Sequence, residues 1–386
     1  MDSDIAAAVA ALAPALADRA AQVDETGEIT KQTMADLVGT GIFRLLQPIS
    51  HGGAEADPLR FFDAVRAVAA ACGSTGWMTA ALGLSPWHVA LFDEQAQHEV
   101  WTADPDALIC TSYAPVGNFT PVAGGYELTG HWRFASGCAH AGWALLGGTI
   151  VADNGQPVDM VSGLVPSTEF LIDKVWDAAG LRGAGSDDLS VEKVFVPEHR
   201  VLRFYDIAMR QSPGQRLNAG PLYRMPYGTM YNYTNTSPVV GMAQGCLEVF
   251  VERMRDTHRL SFGGGAVTAE QPTAAARASG EIDAAVLQMG RSLRDLYDCA
   301  SRKEEIPLDL RLRARRDQSL GAERALKSID LIFGATGGVL LRGRNPIERS
   351  WRDAHIAGIH ASNDVGMALT LYGRGAFGLP VDDMLV

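Results

Sequence analysis

Gly124-Gly125-Tyr126-Glu127-Leu128-Thr129-Gly130-His131-Trp132-Arg133-Phe134-Ala135-Ser136-Gly137-Cys138 opens on a Gly-Gly turn and then alternates. Tyr126, Leu128, Trp132 and Phe134 fall on one face of a strand, and Glu127, Thr129, His131 and Arg133 on the other. Ser136 continues the apolar face where Gly137 ends the strand. One hydroxyl therefore stands at the rim of an aromatic wall. The residues leave two readings open: a half-buried strand with a serine in its turn, or a rim that suits a flat, redox-active ring.

The rest of the chain sets the limits. Its 386 residues are 47% hydrophobic and 20% charged, an ordinary globular composition with room for several domains. A net charge of -12 argues against a nucleic-acid partner. Cys72, Cys110, Cys138, Cys246 and Cys299 are scattered and form no CxxC. That usage suits a reducing, cytoplasmic setting and disfavours a disulfide framework or a zinc site. The acidic start Met1-Asp2-Ser3-Asp4 lacks the basic opening of a signal peptide. Ala67 to Phe92 carries no Asp, Glu, Lys or Arg, yet Gly73, Ser74, Thr75, Gly76, Gly83, Ser85, Pro86 and His88 interrupt it. It reads as a buried helix, a break and a second short helix, not as a membrane span.

In chain order, residues 1–105 read as an N-terminal helical domain. Asp4 to Gln22 carries an apolar stripe, Thr30 is an N-cap for a helix ending near Gly39 or Gly41, and Asp57-Pro58 opens a third helix. Residues 106–215 read as a central β-domain. Its strand-like runs are Ile109 to Tyr113, Tyr126 to Phe134, Trp143 to Val151, Val158 to Val165, Phe170 to Val175 and Leu189 to Val196. Phe204 to Gly228 is rich in Pro and Gly and reads as a linker. Residues 216–386 read as a C-terminal four-helix bundle. Its stripes are Val239/Ala243/Cys246/Phe250/Met254, Ile282/Val286/Met289/Leu293/Leu296 and Ala322/Ala325/Ile329/Phe333, with a fourth helix from near Pro346 to Tyr372. The fold class is α+β.

Several motifs need weighing. Gly373-Arg374-Gly375-Ala376-Phe377-Gly378 has dinucleotide-fingerprint spacing but neither the following helix nor the downstream acid that the motif requires. His355 and His360 are five apart, a poor match to paired helical ligands, and no metal site is expected. Arg311, Arg313, Arg315 and Arg316, beside Asp309 and Asp317, read as a solvated or subunit-facing helix. His88 and Ser112 sit in apolar company and fit either core residues or a site. Tyr223, Tyr227, Tyr231 and Tyr233 fit either a pocket for a flat substrate or packing at the bundle entry.

With these residues located, the chain resembles the acyl-CoA dehydrogenase superfamily. The order of regions, Arg259-Leu260-Ser261-Phe262, Gly334-Ala335-Thr336-Gly337-Gly338 and Glu348 to Ala354 carry the likeness. It is most similar to the oxygenase components of two-component flavin-dependent aromatic hydroxylases, of the p-hydroxyphenylacetate and secosteroid-phenol kinds. Cys72 to Trp77, Trp87 to Phe92, Ser112 to Pro115, Ser136 to Trp143, Gly180 to Ser186, Val194 to Pro197, Trp351 to His355 and Phe377 to Pro380 match that branch in order. Gly358-Ile359-His360-Ala361-Ser362-Asn363-Asp364 has a histidine and no glutamate where many dehydrogenases carry their base.

The resemblance implies a reaction. Reduced flavin, FADH2 or FMNH2, would arrive from a separate NAD(P)H-dependent reductase and react with O2 to give a C4a-hydroperoxide, cofactor chemistry that the protein shelters from water. Ser136 would bond near flavin N5, with Trp132 and Phe134 as the apolar wall. Arg259 and Phe262 would hold the flavin tail across a subunit interface in a homotetramer. His360 would be the base, while His88, Ser112, Tyr113 and Tyr231 would hold an aromatic substrate of phenol or indole type. An acyl-CoA dehydrogenase or oxidase, an N- or S-oxygenase, and an inactive flavin-binding scaffold are the alternatives.

Overall fold

The computed structural model describes residues 2–151, 156–260, 269–338, 345–383 and 386, and at 2–3 and 257–260 the backbone alone. Helices come first: α1 (Asp2–Thr26), α2 (Lys31–Thr40), α3 (Pro58–Ala71), α4 (Gly73–Val89) and α5 (Glu94–Trp101). Their boundaries follow from local chemistry. The Thr30 side chain accepts the Thr33 N–H, and Gly41 closes α2 in the left-handed region at φ 79°. Asp57 caps α3 through the Leu59 N–H, with Pro58 in the first turn. Cys72, extended at φ -151°, separates α3 from α4. The helix after the break has 17 residues, longer than the short one expected, and is buried along most of its length.

The sheet is built from β1 (Ile109–Val122), β2 (Gly125–Ser136), β3 (Trp143–Val151), β4 (Pro157–Pro166), β5 (Leu171–Asp173), β6 (Ser186–Pro197) and β7 (Val201–Arg203). Its order is β5-β6-β2-β1-β3-β4-β7. Only the β1–β3 pair among these neighbours is parallel. β2 lies between β1 and β6, so its rim is supported from both sides.

Phe204 to Gly228 is not a free linker. It folds into α6 (Phe204–Ala208) and α7 (Pro213–Leu217) and docks on the first helices. The Trp87 indole N–H donates to the Leu222 carbonyl at 3.0 Å, and Asn218 donates to the Ala90 carbonyl at 2.8 Å. Its Pro and Gly content suggested a tether, but buried side-chain hydrogen bonds override local propensity.

The bundle consists of α8 (Tyr227–Leu260), α9 (Glu270–Ser301), α10 (Leu308–Thr336) and a fourth member in two pieces, α11 (Pro346–Gly358) and α12 (Val365–Ala376). α8 packs closely on α3, where a Cβ at Gly241 or Gly245 would collide with the Arg66 or Ala70 backbone. The fourth helix was expected to be continuous. It breaks at His360, which is extended at φ -61°, ψ 137° and caps the turn Ala361–Asn363. The Gly373–Gly378 run begins inside α12, so no strand precedes it.

Arg352 of α11 ties the three regions together. It pairs with Asp24 of α1 at 2.8 Å and with Glu348 at 2.5 Å, and donates to the Ala179 carbonyl at 2.8 Å. Its neighbour Asp353 is buried and accepts the Leu181 N–H at 2.6 Å. Arg352→Met should lower stability to urea by about 2 kcal/mol, since it strands a part-buried carboxylate and a carbonyl. An Arg374→Met control on exposed α12 should change it by less than about 0.5 kcal/mol. Equal, small shifts in the two variants would contradict the clamp.

Candidate active site

The rim of β2 departs from simple alternation. Opposite β6, Trp132 pairs with Leu189 and Ala135 with Asp187, so β2 carries one extra residue between them. This is a β-bulge. Phe134 occupies it at φ +66°, a region that few non-glycine residues adopt. The bulge turns Phe134 out, 64% exposed, while Ala135 and Ser136 both stay buried.

Trp132 is thereby corrected from wall to core. It has no exposed surface, and its indole N–H donates to the Gly147 carbonyl at 2.7 Å. It has no face to offer a cofactor. Phe134 does have one, and its ring meets Trp176 edge-on with centroids 6.2 Å apart. Trp176 is held in turn by Asp187, whose carboxylate accepts the Val175 and Trp176 N–H groups, each at 2.9 Å.

Ser112 supports the bulge. Its hydroxyl donates to the Arg133 carbonyl at 2.9 Å. With its proton committed there, it can only accept from a bound molecule.

Ser136 pairs with Ser186 at 2.8 Å and accepts the Trp77 indole N–H at 3.1 Å. A hydroxyl supports one donated and two accepted bonds, so a single hydrogen bond of Ser136 remains open. A flavin N5 needs one such partner. The exposed Phe134 ring, in the same rim, suits a flat heterocycle. The residues present therefore fit a flavin ring.

From Ser136, ring contacts lead across the site. Trp77 meets His360 with centroids 5.8 Å apart, His360 meets Tyr231 at 6.0 Å, and Tyr231 meets Tyr113 at 5.7 Å. The Tyr113 hydroxyl is 3.0 Å from His88 Nδ1. Residues far apart in the chain thus meet in one connected cluster of rings. Tyr227 stacks on Tyr231 at 5.8 Å with planes 8° apart, and packs on His88 and Phe204. Spacing of four along α8 puts these two tyrosines on one face. Tyr223 and Tyr233 serve packing instead, each buried and donating to a carbonyl, of Leu46 and Met289 respectively.

Burial sets the protonation of this enclosure. It lowers His88 to about 3 and His360 to about 4, so both imidazoles are neutral near pH 7. It pushes Tyr231 up to about 12 and raises Tyr113 and Tyr227 as well, keeping their hydroxyls protonated. His88 has no exposed surface, and its Nε2 is buried without a hydrogen-bond partner, an orphan that a ligand hydroxyl satisfies only where the surrounding rings part to admit it.

His360, expected as the base, has its Nδ1 engaged by Ser362. Its Nδ1 accepts the Ser362 N–H at 3.2 Å and lies 2.7 Å from the Ser362 hydroxyl. With Nδ1 accepting the Ser362 N–H, a neutral ring carries its proton on Nε2.

Trp77, Trp176, Ser186 and Phe204 were not among the expected site residues, and the sequence leaves Tyr227 open between pocket and packing. Trp77 lay in the uncharged segment and Tyr227 in the tyrosine run. Ser186 reaches Ser136 only through strand pairing across 50 residues. The side chain of Arg259, and Phe262 altogether, lie outside the described residues. The basic run on α10 is not simply solvated: Arg315 is 3% exposed and donates to the Ser362 carbonyl at 2.7 Å. His355 stands apart, bonded to the Trp351 carbonyl at 2.7 Å and 3.3 Å from Asp330.

Comparison with known proteins identifies the family. Residues 3–104 match the acyl-CoA dehydrogenase N-terminal domain, and residues 233–365 match the acyl-CoA dehydrogenase C-terminal domain. The flavin-dependent monooxygenase oxygenase subunit HsaA of Rhodococcus jostii (strain RHA1) is 46% identical, over 97% of this chain and 99% of that protein. The FADH2-dependent resorcinol hydroxylase oxygenase component of Rhizobium sp. is 36% identical, over 96% of this chain and 93% of its own. The crystal structure of 3-HSA hydroxylase from Rhodococcus sp. RHA1 superposes with a TM-score of 0.97 at 44% identity, covering 99% of both chains. The chain belongs to the flavin-dependent monooxygenase oxygenase subunits built on the acyl-CoA dehydrogenase fold.

Proposed function

We propose that this chain hydroxylates a bulky phenol-type ring, using O2 and reduced flavin supplied by a separate reductase. The observation that carries this reading is the unbroken path of contacts from Ser136 through Trp77, His360, Tyr231 and Tyr113 to His88. It gives one side suited to a flavin ring and another suited to an aromatic ring bearing a hydroxyl. When bound, reduced flavin supplies the activated oxygen.

The residues divide the remaining tasks. Phe134 and Ser136 orient the flavin ring, while Arg259 and Phe262 hold its tail. Tyr113, Tyr227 and Tyr231 enclose the substrate and exclude water. His88 Nε2 and the Ser112 oxygen take the substrate hydroxyl. His360 Nε2 donates a hydrogen bond from the opposite side.

Substrate size has its own support. Phe204 and Tyr227 also line a neighbouring open cavity of about 780 Å³, whose walls mix Met160, Ile207 and Ile306 with Asp159, Arg210 and Arg311. Self-association to a homotetramer is implied by the family likeness, and the bundle region leaves Leu287, Leu331, Ile359, Met367 and Phe377 exposed. No described helix is long and apolar enough to cross a membrane. A cytoplasmic location fits the reducing-type cysteine usage.

The direct test supplies a flavin reductase, NADH, flavin and a panel of phenols and indole. Ring-hydroxylated product should form only with reduced flavin and O2, and bulky phenols should be preferred. N- or S-oxygenated product alone would overturn ring hydroxylation. In the same assay, Ser136→Ala should raise hydrogen peroxide release at the expense of product by roughly tenfold, the effect of one lost buried hydrogen bond. Unchanged partition would exclude Ser136 as the flavin partner.

The buried histidines also predict a pH dependence of stability. Their folded values lie below the ordinary 6.5, so below about pH 6.5 the unfolded chain binds more protons. Stability should therefore fall as pH drops from about 6.5 towards 4, by up to roughly 1.4 kcal/mol per pH unit for each imidazole. Asp353, raised to about 6, opposes this between its unfolded value and pH 6. Urea titrations of His88→Gln should show a shallower acid limb than wild type. An equally steep limb would contradict a neutral, buried His88.

A further inference from the structure

A buried polar set stands behind the His360 turn. Arg315 of α10 donates from Nη1 to the Ser362 carbonyl at 2.7 Å and to the Gln318 amide oxygen at 2.5 Å. Gln318 donates to the same Ser362 carbonyl at 3.0 Å, to Asn363 Oδ1 at 3.1 Å, and to the Thr236 hydroxyl. Thr236 of α8 donates to Asn363 Oδ1 at 2.6 Å, and Asn363 donates to the Ala357 carbonyl at 3.1 Å. All five side chains are buried, with Thr236 and Gln318 at 0% exposure.

Most helix breaks are left to water and local caps. This one is bolted to α10 and α8 by buried side chains. What the bolts fix is the peptide geometry at Ala361–Asn363. That geometry presents the Ser362 N–H to His360 Nδ1 at 3.2 Å. The two nitrogens of an imidazole are coupled: a donor at Nδ1 forces the proton to Nε2.

We propose that Arg315, Gln318 and Thr236 are positioning residues that hold the Ser362 turn and thereby lock His360 as the Nε2–H tautomer, a hydrogen-bond donor facing the enclosure. This rests on the reading that His360 belongs to the active site. The set explains why an arginine lies buried in a run otherwise suited to a solvated helix. It also explains why polar Thr236 and Gln318 occupy fully buried bundle positions. With the proton on Nδ1 the ring would donate to the Ser362 hydroxyl at 2.7 Å instead, and the Ser362 N–H would lose its acceptor.

Two readouts on the full-length enzyme test the proposal. The first needs no turnover. In protein labelled with 15N-histidine, the His360 signal, assigned by its loss in His360→Gln, should report a protonated Nε2 and a bare Nδ1 near pH 7. An Nδ1–H signal would overturn the proposal whatever the enzyme's activity. The second is the division of consumed O2 between product and hydrogen peroxide. Thr236→Val is nearly isosteric and removes one donor and one acceptor from the set. It should mix the His360 tautomers and lower product per O2 roughly fivefold. Thr236→Ser, which keeps the hydroxyl, should restore both. Gln318→Met should act as Thr236→Val does and serves if the valine variant folds poorly. Wild-type tautomer and wild-type partition in both variants would refute the positioning role while leaving hydroxylation intact. Failure of the wild type to hydroxylate any phenol would instead count against the functional reading, and the tautomer signal would still decide this one.

Discussion

One extra residue in β2 determines which side chains can meet a cofactor. Between Trp132 and Ala135 the strand outruns β6 by one position, and the side-chain alternation resets there. Trp132 stays in the core, Phe134 swings out, and Ser136 reaches the rim with its partners already in place. The bulge is a cost to the strand, because Phe134 takes a positive φ just after the Arg133 carbonyl. Ser112 compensates by donating to that carbonyl. A strained residue kept in place by neighbouring hydrogen bonds is typical of a site rather than of a scaffold.

The opposite side of the site uses the same economy. Helix α11 ends where His360 turns extended, and the chain resumes as α12 only after Asp364. The break delivers an imidazole into an enclosure of rings whose burial keeps histidines neutral and tyrosines protonated. Neutral groups suit a pocket that must hold a reactive oxygen species without charged side chains competing for it. Hydrogen-bond direction, not net charge, is the variable the protein controls there.

Much of this was legible in the sequence. Periodicity and turn chemistry gave helices, then strands, then a bundle, and Thr30, Asp57 and Gly41 marked real helix ends. Motif likeness nominated Ser136, His88, Tyr113, Tyr231 and His360, which ring contacts and hydrogen bonds link through Trp77, and Ser112, which bonds the Arg133 carbonyl. What strict alternation could not reveal was the bulge, because a one-residue slip leaves composition unchanged and reverses a face. It therefore paired Trp132 with Phe134, which the fold separates. The linker reading of 204–228 failed because buried hydrogen bonds from Trp87 and Asn218 outweigh its Pro and Gly content. Ser186 and the Arg315–Gln318–Thr236 set were invisible for a common reason: each acts through partners remote in sequence.

The central claim is that reduced flavin and an aromatic substrate meet between the β2 rim and the His360 turn. The most direct measurement is a crystal structure of the enzyme prepared without oxygen, with reduced FAD and a phenol bound. The account predicts the flavin ring against Phe134, its N5 within hydrogen-bonding distance of Ser136 Oγ, and the phenol oxygen at His88 Nε2. A flavin seated elsewhere, or a Ser136 hydroxyl turned wholly to Ser186 and Trp77, would contradict it.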